Sequence, residues 1–501
     1  MSLVTPDKIR NLQRKLYCKA KAEPAFRFYV LYDKICREDI LLHAYKLSRA
    51  NAGAPGVDGV TFEQIEEQGL EAWLAGLREE LVSKTYRPDP VRRVMIPKNG
   101  GGERALGIPT IRDRVVETAA KLVLEPIFEA DFEDNAYGYR PARGAADAVK
   151  DVYRHLSRGY TDVVDADLSR YFDSIPHDDL LKSVARRVAD GSVLRLIKLW
   201  LKAPIEERDG DGKRRMVGGK RNQRGTPQGG VASPLLANIY MNRFLKHWRR
   251  SGCGEAFRAH VVSYADDFVI LSRGRAAEAL TWTKAVMTKL GLTINETKTS
   301  LRNAREERFN FLGYSFGPHY PYNSKVRVHM SASPSKQSVQ RLKTKVRELL
   351  VPSNNEPWPE VRDDLNRTLR GWSSYFNLGS PVAAFRSVDH YVRERVRGFL
   401  ARRHKVAGRG NRRFTFRPRH SRCHHSVRPR CPSGRGVPAL SVSMAMLLLT
   451  SRTMGRFRSL PTRNAGNVPN LGRRPQGSSP LRRKRGDRQS PQASHSRLAR
   501  T

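Results

Sequence analysis

Two aspartates stand side by side at positions 266 and 267, between the apolar runs Val261-Val262 and Phe268-Val269-Ile270-Leu271. This pattern predicts strand, turn, strand, with both acids at or near the turn. Adjacent carboxylates in an apolar hairpin repel one another and lose hydration, at a cost on the order of a few kcal/mol when nothing compensates. A divalent cation compensates, and an all-oxygen ligand set favours Mg²⁺. Two such ions, about 4 Å apart, would activate a 3′-hydroxyl and stabilise the pyrophosphate that leaves in an in-line displacement. The plainer alternative is an Asp-Asp turn without chemistry.

A second set of acids lies upstream. Thr161 to Leu168 reads as a strand carrying Asp162, Asp165 and Asp167, and it leads into Ser169-Arg170-Tyr171-Phe172-Asp173. Period two puts Asp165 and Asp167 on one strand face, so spacing does not choose between them. A third feature is a predicted hairpin. Val91 to Pro97 is one strand, Lys98-Asn99-Gly100-Gly101-Gly102-Glu103 the turn, and Arg104 to Pro109 the return. A Gly-rich tip between Lys98 and Arg104 is suited to clamping phosphate, although it lacks P-loop spacing and also reads as a solvated hairpin.

The elements that would position these residues are mostly helical. Residues 7–50 show helical spacing, with Leu12, Leu16, Phe26, Tyr29, Val30 and Ile40 to Leu42 as the apolar positions. Ala54-Pro55-Gly56-Val57-Asp58-Gly59 breaks the pattern, and a further helix runs to about Ser83. Segments 337–350, 361–376 and 388–405 are also helical in spacing. The last has an apolar stripe of Val388, Val392, Val396, Phe399 and Leu400, crowded by Arg393, Arg395, Arg397, Arg402, Arg403 and Lys405. Such a charge run reads either as a solvated face or as a surface that tracks phosphates.

The whole chain favours the phosphate reading. It has 501 residues, 39% of them hydrophobic, which is enough for about two to four domains. Lys+Arg 92 against Asp+Glu 49 gives a net charge of +43, hard to reconcile with a small-metabolite enzyme and expected of a protein with a polyanionic partner. The longest apolar run, Met444 to Leu449, is far short of the roughly 20 residues of a membrane span, and no signal peptide is visible. The five cysteines read as free thiols of a reducing cytoplasm. From Phe414 onward 19 basic residues face one acid, Asp487, in an Arg/Pro/Ser-rich tail of 88 residues without periodicity. That tail is expected to be disordered or frameshifted. Cys423, His424, His425 and Cys431 lack the paired spacing of a zinc site.

Tyr264-Ala265-Asp266-Asp267 resembles the YADD box of reverse transcriptases, and the neighbouring segments follow the family's order. Ile96-Pro97-Lys98 through Arg104 to Gly107-Ile108-Pro109 resembles the fingers block, and Tyr137-Gly138-Tyr139-Arg140-Pro141 the next one. Asp167 to Asp173 is similar to the first palm motif, and Gly225 to Asn238, with Pro227-Gln228-Gly229, to the PQG block. Gly291 to Thr299 resembles the block of the palm lysine, and Phe311-Leu312-Gly313-Tyr314 the primer grip. Gly371-Trp372-Ser373-Ser374-Tyr375-Phe376 to His404-Lys405 resembles a maturase domain. Together these residues resemble a group II intron-encoded reverse transcriptase/maturase over about residues 1–413.

That resemblance implies an α+β right-hand polymerase. Residues 1–90 would be a basic helical extension, 91–318 fingers and palm, 330–413 an α-helical thumb/maturase domain, and 414–501 the tail. It implies Asp167, Asp266 and Asp267 as ligands of two Mg²⁺, with Asp165 structural, and Lys298 as a catalytic lysine at the pyrophosphate. Lys98, Arg104, Arg92 and Gln228 would bind the dNTP, and Phe172 would reject a 2′-hydroxyl. Arg393, Arg395, Arg397, Arg402, Arg403 and Lys405 would hold intron RNA. The implied partners are group II intron RNA, a DNA primer or target, and dNTPs, in the cytoplasm and without a membrane. The tail lacks the paired cysteines of the HNH endonuclease found in many relatives, so nicking of a target strand is not expected. A splicing-only maturase or a decayed intron protein is the alternative from another class.

Overall fold

The computed structural model describes residues 3–97, 102–208, 213–319, 329–406, 408 and 414. Its strands are β1 (Val91–Pro97), β2 (Glu103–Ile108), β3 (Asp162–Asp167), β4 (Pro204–Arg208), β5 (Arg214–Gly218), β6 (Ala259–Tyr264), β7 (Asp267–Ser272), β8 (Ser300–Asn303), β9 (Phe309–Phe311), β10 (Tyr314–His319) and β11 (His329–Pro334). They form three sheets, ordered β2-β1-β4-β5, β6-β7-β3-β8 and β11-β10-β9, within a mixed α+β architecture.

The antiparallel sheet β6-β7-β3-β8 positions the acids. Its register places Asp167 opposite Asp267, Asp165 opposite Val269 and Val163 opposite Leu271 on one face, with Ala166 opposite Phe268 and Val164 opposite Ile270 on the other. Both faces are covered, which explains why these strands read apolar almost throughout. The face of Val163 and Val269 packs on helix Ala145–Ser157 and on β9-β10-β11, through Val149, Val152, Phe309 and Phe316. The face of Val164 and Phe268 joins a larger core with helices Ser233–Arg250 and Ala276–Lys289.

That larger core also contains Ile9, Leu16, Ile40, Leu41 and Tyr45, packed with helix Ile111–Glu129. The N-terminal helices are therefore built into the core, which does not divide near residue 90. The helical expectation for 7–50 needs one correction. The first helix ends at Ala22, ahead of Glu23-Pro24, because proline disfavours helical backbone at the residue before it. The chain then runs extended past Val188, and Asp190 Oδ2 accepts hydrogen bonds from the Leu31 and Tyr32 amides, both at 2.8 Å. Tyr29 and Val30, expected in an apolar stripe, are instead 67% and 51% exposed.

Helices Lys336–Leu349, Trp358–Tyr375 and Val382–Arg403 pack around Leu342, Val346, Val361, Leu365, Leu369 and the stripe Val388, Val392, Val396, Phe399 and Leu400. Phe414, placed above in the tail, is buried in this cluster beside His404, with ring centroids 5.9 Å apart. The rest of the Arg/Pro/Ser-rich segment, with Cys423, His424, His425 and Cys431, lies outside the described residues. Among the described residues no helix is long and apolar enough to cross a membrane.

Candidate active site

A two-residue turn, Ala265-Asp266, joins β6 to β7, with Tyr264 paired to Asp267. Ala265 takes φ +58°, a left-handed conformation costly to a residue with a Cβ, so the turn needs support from outside. Tyr137-Gly138-Tyr139-Arg140-Pro141 supplies it. The Tyr137 amide donates to Ser263 O at 2.9 Å, and Asn238 Nδ2 donates to Gly138 O at 2.7 Å. A Cβ on Gly138 would lie 2.4 Å from Ala265 N, so only glycine permits this approach. The Arg140 side chain is buried and anchors the loop, pairing with Glu129 and donating to Glu133 O at 2.7 Å and Ala136 O at 2.8 Å.

The three acids lie at the same end of this sheet. Asp167 and Asp267 are cross-strand partners, and Asp266 occupies the adjoining turn. Asp267 is exposed because its side chain opens on a cleft. Protein surrounds the carboxyl closely enough that desolvation, then the charges of Asp266, Asp167 and Asp165, push it up to about 7 against the pull of Lys298. Asp165, one pair further into the sheet, is raised to about 6 by burial, with Arg302 as the opposing charge. Asp167 Oδ2 accepts from Lys298 Nζ at 2.9 Å and from Asn295 Nδ2 at 3.1 Å, while the Asn295 amide donates to Asp167 O at 2.8 Å. The hydrogen bond to Asp167 in turn raises Lys298. Lys298, expected at the pyrophosphate, is thus ion-paired to an acid here.

Among the described residues no group of three Asp, Glu, His or Cys side chains is already gathered around one point. The donor set nonetheless fits a hard divalent cation. It is all oxygen and carries more negative charge than Lys298 neutralises, and the burial and like charges that push Asp267 up to about 7 are what a divalent cation would relieve.

The hairpin β1-β2 approaches from the other side. Arg104 Nε donates to Gln228 Oε1 at 2.9 Å, and Gln228 Nε2 donates to Asp173 Oδ2 at 3.3 Å, linking hairpin, loop and sheet. Gly229, at φ +117°, brings the loop against Gly107 O, where a Cβ would stand 2.2 Å away. Arg92 pairs with Ile108 and Ile96 with Arg104, so both arginines lie on one hairpin face. Arg92 Nε is buried without a hydrogen-bond partner among the described residues. Lys98 lies outside the described residues. Phe172 is only 5% exposed; its ring meets that of Tyr139 edge-on at 6.3 Å, and Tyr139, 46% exposed, is the ring that faces the cleft.

Several supporting residues escaped the sequence reading. Asn295 fixes Asp167. Glu117, buried on helix Ile111–Glu129, accepts from the Ala232 amide at 3.0 Å and holds the far end of the Gln228 loop; burial pushes its carboxyl up to about 7. The Glu117 signal was an acid four residues after Asp113 in an apolar helix, too common a pattern to single out. In the C-terminal helices Arg402, Arg403 and Lys405 are exposed, whereas Arg393, Arg395 and Arg397 are half-buried. Arg397 Nη1 donates to Glu394 Oε1 at 2.7 Å, Arg395 lies 5.8 Å from the Tyr391 ring centre, and Arg403 Nη2 donates to Asn355 O at 3.2 Å. Arg341, Lys345 and Arg367 line an adjoining groove beside Gly313 and were not foreseen.

Comparison with known proteins bears on these features. Residues 96–316 match the family described as reverse transcriptase (RNA-dependent DNA polymerase), and residues 339–415 match the group II intron, maturase-specific domain. Protein YkfC of Escherichia coli (strain K12) is 34% identical over 61% of this chain and 87% of its own length. The group II intron-encoded protein LtrA of Lactococcus lactis subsp. cremoris is 35% identical over 44% of this chain, and the putative COX1/OXI3 intron 1 protein of Saccharomyces cerevisiae 25% over 74%. The chain spans 35% of the length of LtrA and 48% of the yeast protein. With the acid-bearing sheet inside one matched domain and the C-terminal helices inside the other, the chain belongs to the group II intron reverse transcriptase/maturase family.

Proposed function

We propose that this chain is an RNA-directed DNA polymerase that also binds its intron RNA as a maturase, promoting splicing and copying the intron into DNA during retrohoming. The observation that carries the reading is the cross-strand pair Asp167 and Asp267 with Asp266 in the adjoining turn. These three carboxylates would hold two Mg²⁺, which when bound supply charge for an attacking 3′-hydroxyl and a leaving pyrophosphate. The protein's part is positioning. Asn295 and the brace around Gly138 fix the acids, Lys298 neutralises Asp167, and with Mg²⁺ bound Lys298 would be the cation nearest the acids to meet the leaving group. Arg104 and Arg92, on one hairpin face with Lys98 expected at its tip, would take the triphosphate of the incoming dNTP, while Gln228 lines the nascent pair. Phe172, supported by Tyr139, would close the space beside the sugar against a 2′-hydroxyl.

Fingers and palm would span 91–318, with residues 330–414 as thumb. Of the six cations expected to hold intron RNA, Arg402, Arg403 and Lys405 are the exposed ones and would meet RNA phosphates, a contact that weakens with salt. The test is extension of oligo(dT) on poly(rA) with Mg²⁺, together with splicing of the cognate intron RNA. The wild type extends and splices; Asp266→Ala splices without extending. Splicing without extension by the wild type would leave a maturase alone.

A further inference from the structure

A second built site lies at the far end of the acid-bearing sheet. An open cavity of about 1050 Å³ runs along the edge strand β6, between helix Ala145–Ser157 and the C-terminal end of helix Ser233–Arg250. His260 precedes Tyr264 by four positions on β6, so its ring stands about 13 Å along the strand from the β6-β7 turn at roughly 3.3 Å per residue. The nearer wall includes Val261 and Tyr137, but none of Asp167, Asp266 and Asp267 lines the cavity.

Flat rings form its floor. His155, 7% exposed, stacks on the exposed His260 with centroids 4.0 Å apart and planes 22° from parallel. Tyr160 meets both edge-on, at 5.8 and 4.6 Å, and the Arg273 guanidinium lies 4.2 Å from the Tyr160 ring centre. Burial and the neighbouring His155 push His260 down to about 4, so its ring is neutral at physiological pH. His155 Nε2 lies 3.2 Å from Asp151 Oδ1, whereas the buried Nδ1 finds no hydrogen-bond partner among the described residues.

The wall is cationic. Of the acids on it, Glu133 is held by Arg249 at 2.8 Å, Asp134 by Arg143 at 2.9 Å, and Asp151 by Arg154; Glu255 has no ion pair among the described residues. The exposed Arg158, Arg250 and Arg258 have no carboxylate within 4.0 Å among the described residues and face the cavity. Stacked rings beside unpaired guanidiniums match a nucleotide. An acidic peptide would satisfy the arginines and leave the rings unused, and a duplex would keep its bases from reaching them.

We infer that this cavity binds an unpaired nucleotide of single-stranded RNA, its base stacked on His260 and its phosphates among Arg158, Arg250 and Arg258. The site is independent of whether the chain polymerises, because binding and extension are read separately. The experiment measures binding of labelled, unstructured RNA to the full chain while unlabelled primer–template saturates the polymerase cleft. The variants are His260→Ala and the surface charge reversal Arg158→Glu/Arg250→Glu. His260→Ala should weaken binding about tenfold. The charge reversal should weaken it further and flatten its dependence on log salt by about 1.4, as two lost phosphate contacts require. Extension on poly(rA)/oligo(dT) should stay within about twofold of wild type in both, since neither variant touches the catalytic acids. AMP should compete only weakly; AMP as potent as the oligonucleotide would make this a mononucleotide site and overturn the strand assignment. Wild-type RNA binding by both variants would overturn it too, as would joint loss of binding and extension.

Discussion

At the scale of single residues, the site is a contest between like charges and the few groups that relieve them. Lys298 Nζ, 2.9 Å from Asp167 Oδ2, stands where a cation would bind. Lys298→Met should therefore lower the Mg²⁺ concentration for half-maximal extension by about two- to fivefold, the range of an exposed ion pair, as read from Mg²⁺ titrations of the initial rate. Glu117 offers a pH signature. Its folded value, about 7, lies above that of an unfolded glutamate, so its stabilisation is whole below about pH 4 and is lost as pH rises through 7. Glu117→Gln, which keeps an acceptor for the Ala232 amide, should remove on the order of 2 kcal/mol of that pH dependence in denaturant melts between pH 5 and 8. Adjacent acids between apolar runs could be read from sequence because the interaction is local. Asn295 could not, since it reaches Asp167 only after the chain has folded back, and nothing near residue 172 announced that Tyr139 would cover Phe172.

At the scale of elements, the strands and the three C-terminal helices follow their periodicity closely, because each buries a regular stripe. The first 50 residues do so in helices Asp7–Ala22 and Glu38–Ala50 but not through Phe26 to Val30. Helical spacing continued through Phe26 to Val30, but Pro24 and the Asp190 carboxylate impose an extended segment that only tertiary contact reveals. The brace around the β6-β7 turn is likewise an assembled feature, and it can be tested at one glycine. Gly138→Ala places a methyl 2.4 Å from Ala265 N, so the turn must shift. A displacement on that scale should lower the extension rate about a hundredfold while leaving RNA binding near wild type, as measured by single-turnover extension beside equilibrium binding.

Across the whole molecule, the net charge of +43 points to a polyanionic partner without saying where it lies. The last 88 residues carry +18 of it, and the remaining +25 belongs to residues 1–413, where the hairpin arginines, the C-terminal helices and the cavity beside β6 share it. The boundary itself is testable, because Phe414 packs beside His404. A chain ending after Thr415 should keep the melting temperature of the full chain, and one ending after Arg413 should lose about 2 kcal/mol from the helical cluster, seen as a lower melting transition. Spacing alone never separated Asp165 from Asp167; the register does, by placing Asp167 opposite Asp267 and Asp165 opposite Val269. The most direct test of the polymerase centre is therefore Mg²⁺-dependent single-turnover extension by Asp167→Asn and Asp165→Asn side by side. Asp167→Asn should fall about a thousandfold or more, with Asp165→Asn staying within about tenfold of wild type. Equal losses, or a larger loss at Asp165, would contradict the assignment.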